Sequence, residues 1–404
     1  MRAACGQLVA TPIDHAEEAW PAVDRLVDQA RRARADLLVL PEITYPAYWL
    51  ESLDRYFAPD ILRSDAVLDR FSRAAAAAGL WLVVGFVEER AGRLFNSAAV
   101  LDSSGNVVAV ARKNFLWDCD NRWFAPGDEL LTAATPWGRM GVQICADARA
   151  PEITATLARG GAALIAHPTA WVNSRRGSGE FRNVQADFLI RARAAEFGIP
   201  FLSADKAGRE AGLEYVGQSM IVDAAGRVLS AAPIEGEHLV VADVLPGAPT
   251  PRELSAEHRT RLLAGPAPAV ATQRPVVFRL APADAKNVAE QLSAAGARWN
   301  ALSVEALAHY EVARCAALDG AQVLLATGRV DDDLFARARA CENRVYVVVA
   351  DRETQRIVHP AGHLVCSGDD ARPHVEIDLR AADSKKFTPE TDLWPQRRTS
   401  CYQL

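Results

Sequence analysis

The chain has 404 residues, half of them hydrophobic types, which is enough to build two or three buried cores. Lys and Arg number 45 against 51 Asp and Glu, a formal charge of −6, and no basic block is present to neutralise a run of phosphates; nucleic acid is excluded as an expected partner. The longest stretch free of charged side chains, Gly160–Ser174, contains His167, Pro168 and Asn173 and falls short of the ~20 apolar residues of a membrane span, so no membrane association is expected.

The chain opens with Met1-Arg2-Ala3-Ala4-Cys5-Gly6-Gln7, which reads as a short strand leading into an acidic helix and lacks the apolar core of a signal peptide. The seven cysteines are scattered, without metal-ligand spacing, so free thiols in a reducing, cytoplasmic compartment are the expectation. Apolar residues at helical spacing (Val23, Leu26, Val27, Ala30) then predict a helix over Ala16–Arg34, and the apolar run Leu37–Leu40 predicts a strand. A helix over Val67–Ala78 is stopped by Gly79, and a strand is expected over Leu80–Phe86. Ser97–Leu101 and Val107–Ala111 flank Asp102-Ser103-Ser104-Gly105-Asn106, turn chemistry that predicts a hairpin. Further strands are expected over Met140–Ile144, Ala162–Ala166 and Phe201–Ala204. This alternation over the first 250 residues predicts an α/β sandwich.

Between Pro246 and Pro275 lie six of the 22 prolines, the expected signature of a linker, although Arg252–Leu263 at its centre reads as a short charged helix. Beyond it the sequence repeats itself. Arg191–Lys206 matches Arg337–Arg352 at an offset of 146, and Glu152 and Gly161-Ala162 match Glu311 and Gly320-Ala321 at an offset of 159. Residues 276–404 are therefore read as a truncated second copy of the 140–245 region. At the 159 offset Cys145 corresponds to Val304, so this copy is expected to carry no thiol chemistry; Cys315 and Cys341 fall in helix-like runs and are expected to pack.

Three motifs place a reactive side chain at the end of a buried strand, where a rigid sheet holds its geometry. Leu37–Leu40 runs into Pro41-Glu42, Val107–Ala111 into Arg112-Lys113, and Met140–Ile144 into Cys145. A cysteine so placed is a candidate nucleophile, a carboxylate can take its proton and return it to a leaving amine, and a lysine can steady the oxyanion between. Together they describe acyl transfer through a thioester.

The order Glu, Lys, Cys, in the contexts Leu-Pro-Glu, Arg-Lys and Cys-x-Asp-x-Arg-x-Pro-Glu, with Pro46-Ala47-Tyr48 and Phe124-Ala125-Pro126-Gly127, resembles the nitrilase superfamily of carbon–nitrogen hydrolases over about residues 1 to 250. The resemblance implies a four-layer αββα sandwich, Glu42 as general base, Lys113 as oxyanion support, Cys145 as nucleophile and the backbone N–H of Ala146 as a second oxyanion donor. It implies no metal and no organic cofactor, and pairing through the helices that flank the nucleophile, so that the chain is expected as a homo-oligomer or, through its second copy, an internal pseudo-dimer. The tail Arg397–Tyr402 is similar to the basic-then-aromatic ending of family chains.

Two departures bear on the site. Where the family carries a second Glu, this chain reads Trp117-Asp118-Cys119-Asp120-Asn121-Arg122-Trp123; Asp120 is the candidate for that role and Asp118 its rival. Ala47 stands where glycine is usual. Ala146 and Asp147 after the cysteine resemble amidases and carbamoylases more than true nitrilases, which favours a small linear amide or N-carbamoyl (ureido) substrate. Tyr48 and Trp171 are further candidates for substrate contact, as are Arg175, Arg176 and Arg182 for a substrate carboxylate. His167 offers a Cys–His dyad as a rival base. Acyl transfer to an amine, or a non-catalytic scaffold, are the opposing functions.

Overall fold

The computed structural model describes residues 1–174, 183–249, 253–268, 277–280 (backbone alone), 285–350, 355–366 and 375–404. Its chain divides into two units, Met1–Pro251 with Ser400–Leu404, and Arg252–Thr399. Arg175, Arg176 and Arg182 lie outside the described residues.

In the first unit β1 (Arg2–Val9), β2 (Leu37–Val39), β3 (Trp81–Arg90), β4 (Arg93–Leu101) and β5 (Val107–Arg112) are followed by β6 (Thr132–Thr135), β7 (Gly138–Val142), β8 (Ala162–Pro168) and β9 (Phe201–Ala204). The chain then forms β10 (Lys206–Glu210), β11 (Leu213–Val216), β12 (Met220–Val222), β13 (Val228–Ala231) and β14 (His238–Asp243). One sheet has the order β11-β10-β1-β2-β3-β4-β5, with β14 also paired to β1; the other has the order β13-β12-β9-β8-β7-β6. The two sheets face each other, β1 and β2 lying against β9 and β8.

The continuous apolar run Leu37–Leu40 suits this place, since Leu37, Leu38 and Val39 are inaccessible and a parallel strand between two layers is buried on both faces. On the outer side of the first sheet, the helix Ala19–Arg32 buries Trp20, Val23, Leu26, Val27 and Ala30, and the helix Ser64–Ala78 buries Val67, Phe71 and Ala75 before Gly79 ends it at φ 64°. Each large side chain so buried contributes about 1.5–3 kcal/mol. The helices Pro151–Arg159 and Ile190–Phe197 pack on the second sheet at β8 and β12. The layers run helix, sheet, sheet, helix, which is the expected α/β sandwich. The predicted first helix starts later than expected, at Ala19, because Ile13–Glu18 forms a 3-10 turn with a kink at His15.

The second unit contains the helix Ala256–Leu263, capped by Ser255 Oγ, within the proline-rich segment. Its strands are β15 (Val277–Leu280), β16 (Trp299–Ser303), β17 (Val323–Thr327), β18 (Tyr346–Ala350), β19 (Gln355–Val358), β20 (Leu364–Cys366) and β21 (Val375–Asp378). The main sheet has the order β16-β17-β18-β19-β20, parallel through β18 and antiparallel after it. In the first unit β7-β8-β9-β12-β13 has the same order and the same directions. The helix Tyr310–Leu318 stands between β16 and β17 as Pro151–Arg159 stands between β7 and β8. Arg193 Nε donates to Ala148 O (3.0 Å) and Arg339 Nε to Leu307 O (2.7 Å), and each arginine pairs with the glutamate three residues on, Glu196 or Glu342.

Cys315 and Cys341 are buried within helices. His359 and His363 stack at 4.4 Å in the turn between β19 and β20, and among the described residues no group of three or more potential ligands is arranged to hold a metal ion. No described helix is long and apolar enough to cross a membrane. The C-terminal Ser400–Leu404 belongs to the first unit, where Cys401 Sγ donates to Asp128 O (3.2 Å) and Gln403 N to Thr156 Oγ1 (3.1 Å).

Candidate active site

Glu42 leaves the end of β2 on a turn that needs Gly85 beneath it: a Cβ there would lie 2.5 Å from Ile43 N and Pro41 O. Any other residue at 85 would push the carboxylate out of place. Glu42 is inaccessible. Its Oε1 accepts from Lys113 Nζ (2.6 Å) and Asn96 Nδ2 (2.7 Å), and its Oε2 has no hydrogen-bond partner among the described residues. Burial raises the Glu42 carboxyl above the usual range, against the pull of Lys113.

Lys113 follows β5 and is equally inaccessible. Its Nζ lies 2.6 Å from Glu42 and 2.5 Å from Asp120 Oδ2. Burial works against its charge, yet Asp120 and Glu42 outweigh that and hold the ammonium well above the ordinary lysine range. The cation is fixed.

Asp120 opens the short helix Asp120–Trp123. Its Oδ2 also accepts from Trp117 N (2.8 Å) and its Oδ1 from Asn96 Nδ2 (3.2 Å). Of the two acids left open by the sequence, it is Asp120 that the fold brings to Lys113; Asp118 takes a positive φ of 43° in the preceding turn and stays partly accessible. Asn96 on β4 joins both carboxylates and escaped the sequence reading. A buried asparagine amid Leu94, Phe95, Ala98 and Ala99 was the available signal.

Cys145 begins a 3-10 turn (Cys145–Arg149) just past β7, with φ 44° and 5% exposure. A left-handed conformation in a non-glycine residue stores ~1–3 kcal/mol and is typical of functional sites. Burial, and then the Glu42 charge, push the thiol up to about 12, opposed by Lys113, so it rests protonated. Asp147 anchors this turn: its Oδ1 accepts from Asn114 N (3.0 Å) and Phe115 N (2.7 Å), and its Oδ2 from Ile144 N (2.9 Å). It thereby ties the nucleophile turn to the residues directly after Lys113, a second link that sequence reasoning missed. Burial raises this carboxyl to about 6 against those backbone bonds.

His167 is not placed as a base. Its Nε2 donates to the Cys145 carbonyl (3.0 Å), its Nδ1 meets Ser203 Oγ (3.0 Å), and burial lowers its pKa to about 4, which keeps the imidazole neutral. With the Gln185 amide assigned to satisfy both its ends, it donates to the same carbonyl (2.7 Å) and accepts from Trp171 Nε1 (3.2 Å). Trp171 is inaccessible and its backbone N–H donates to Asp205 Oδ1 (2.7 Å). Tyr48 is buried with its ring centre 5.8 Å from Lys113 Nζ, and Ala146 is buried directly after the nucleophile. The fold thus brings Glu42, Lys113, Asp120 and Cys145 to one buried place and sets Tyr48, Ala146 and Trp171 around them.

The family profile described as carbon-nitrogen hydrolase matches residues 2–248. The chain belongs to the carbon–nitrogen hydrolase family and is an enzyme of that class. Among curated relatives, the deaminated glutathione amidase of Mus musculus is 31% identical over 246 residues, covering 55% of this chain and 72% of that protein. Among solved structures, the NitN amidase from Neterenkonia sp. AN1 has a TM-score of 0.55 at 27% identity, covering 60% of this chain and 92% of that one. A glutamate-to-glutamine variant of an amidase from Nesterenkonia sp. AN1 (TM-score 0.53, 26% identity, 61% and 90% covered) carries the acetamide moiety of fluoroacetamide on its active-site cysteine.

Proposed function

We propose that this enzyme hydrolyses the C–N bond of a small linear amide or N-carbamoyl compound through a thioester on Cys145. The observation that carries the reading is Lys113 clamped between Glu42 and Asp120 beside a buried cysteine in a left-handed turn. Because the thiol rests protonated, attack needs a base at the moment of reaction, and Glu42 Oε2 is the carboxylate oxygen left for it.

In the first half-reaction Cys145 Sγ bonds to the substrate carbonyl carbon while its proton passes to Glu42. Lys113 and the Ala146 N–H steady the oxyanion, and Asp120 positions the ammonium. The C–N bond breaks, Glu42 returns the proton to the leaving amine, and the acyl group stays on sulfur. Water then adds to the thioester carbon and gives a proton to Glu42; the acid leaves and the thiol is restored. Tyr48 and Trp171 wall the acyl group. The names of relatives, amidases in the main, support an amide as the substrate class. Incubation with a panel of linear amides and N-carbamoyl compounds tests this by product release; a chain that turns over none of them, or a Cys145→Ala variant as active as the parent, contradicts it.

For residues 276–404 we propose a non-catalytic copy of the nucleophile-bearing half, supported by the shared strand order and the repeated arginine–carbonyl bond. We further propose a cytoplasmic enzyme, in keeping with seven cysteines scattered without metal-ligand spacing. Its assembly is either a homo-oligomer or a single chain whose copy replaces a partner subunit. Light scattering decides: a mass near 43.7 kDa supports the single chain, and a multiple of it supports the oligomer.

A further inference from the structure

Residues 121–123 of the short helix that carries Asp120 help to line a cavity of about 690 Å³. None of Glu42, Lys113, Asp120 or Cys145 lines it. Arg63, Arg90, Arg93 and Arg122 line it together with Phe57 and Trp123. The volume lies within the range of small-molecule sites, and the lining joins apolar residues to charged ones.

The wall holds one carboxylate, Glu89, and it is already engaged: it accepts from Arg63 Nε (2.7 Å), from Tyr56 OH (2.8 Å) and from Ser64 N (3.3 Å). Arg63 is further fixed over the Phe57 ring at 4.3 Å, and Arg122 over Trp49 at 5.3 Å. Arg93 lies over the Phe95 ring at 5.2 Å, and the charge of Arg90 acts on Glu88. The two arginines stand directly opposite each other across the β3–β4 turn, and among the described residues neither has a carboxylate at ion-pair distance. Like charges opposed across a hairpin destabilise it. The turn between them adds a further cost, because Ala91 takes φ 50° where glycine or asparagine is favoured. A fold that keeps two opposed guanidiniums on such a turn, at the rim of an aromatic cavity, has a place for an external anion.

We propose that this cavity binds a small organic carboxylate with an apolar body, the carboxylate bridging Arg90 and Arg93 and the body lying against Phe57 and Trp123. Planar guanidinium groups suit a carboxylate because each offers two parallel donors. The same chemistry serves either the distal carboxylate of a long substrate or a separate ligand.

Calorimetry on the full chain with 3-phenylpropanoate as probe tests the site without turnover, so its result stands apart from the amidase reading. Saturable one-to-one binding is expected, weakening as salt is added and absent for the neutral 3-phenylpropan-1-ol. Arg90→Ala with Arg93→Ala should weaken it by about ten-fold or more, whereas Arg90→Lys with Arg93→Lys, which keeps the charge but not the paired donors, should weaken it by less than the alanine pair. The lysine pair should melt with the parent and the alanine pair, relieved of the opposed charges, no lower than the parent, and both should hydrolyse a short neutral amide at the parent rate. Competition between the probe and an amide that bears a carboxylate, with a raised KM in the alanine variant, identifies the substrate's own carboxylate as the occupant; binding without competition identifies a separate ligand. No saturable binding, or binding untouched by the alanine pair, overturns the proposal.

Discussion

Residues 138–231 and 299–366 build the same five-strand order with helices in the same places, yet only the first makes a reactive cysteine. The difference begins in the backbone. Cys145 sits at φ 44°, whereas Val304, at the matching start of a 3-10 turn, does not take a positive φ, which a β-branched residue tolerates poorly. Asp147, which ties the turn to the Lys113 segment, corresponds to Ala306, whose methyl side chain can accept no such bonds. The buried bond from Gln143 Nε2 to Thr154 Oγ1 (2.9 Å) is replaced at the same offset by Leu302 and Ala313, an apolar pair. What the two stretches keep, such as the buried arginine on a carbonyl and its glutamate, is scaffold; what they do not share is the left-handed residue at the start of the 3-10 turn and the carboxylate that anchors that turn.

The largest effect expected from this contrast is at the nucleophile. Cys145→Ala should lower kcat by at least about 10⁴-fold with the fold intact. Cys145→Val, which imports the residue of the second stretch, should lose activity equally and also ~1–3 kcal/mol of stability, read as a lower denaturation midpoint, because valine resists the left-handed turn. Val304→Cys should gain no acyl adduct by mass spectrometry.

Next comes the base. Glu42→Gln should cost about 10²–10⁴-fold in kcat/KM. Since burial raises the Glu42 carboxyl, its proton-accepting form is lost as pH falls at a higher pH than for an ordinary glutamate (~4.3), so the acid limb of the parent's kcat/KM profile should lie above that value. With the thiol at about 12, no alkaline gain is expected between pH 7 and 10.

A smaller effect separates the two acids of the loop. Asp120→Asn should lower kcat by about 10²-fold by loosening Lys113, while Asp118→Asn should stay within about two-fold of the parent; equal losses would refute the assignment. The smallest effects concern stability. Asp147→Asn leaves a buried N–H poorly matched and should cost ~1–3 kcal/mol. Gln143→Leu with Thr154→Ala, copying the second stretch, removes both partners of a bond together and should be nearly neutral.

These comparisons also show what a sequence makes visible. Glu42, Lys113 and Cys145 were legible because each follows an apolar strand run, and a sheet turns position along a strand into position in space. The repeat was legible because its anchors, Glu152 with Glu311 and Arg193 with Arg339, are buried polar residues at fixed offsets. Asp120 against Asp118 was not decidable, since two residues apart in a turn point in different directions according to φ, and only the backbone at Asp118 tells which. Asn96 and Asp147 were missed because their partners lie at least 24 and 32 residues away for the bonds that matter. The cavity beside the β3–β4 turn was invisible, as its walls come from three separate segments.

The central claim is a thioester on Cys145. Intact-mass measurement of the full chain, quenched within the first turnover on a small linear amide, tests it most directly. The account predicts a mass gain equal to the acyl group, located on the Cys145 peptide, appearing more slowly in Glu42→Gln and absent in Cys145→Ala. An amide hydrolysed at the parent rate by Cys145→Ala, with no adduct on the parent at any time, would contradict it.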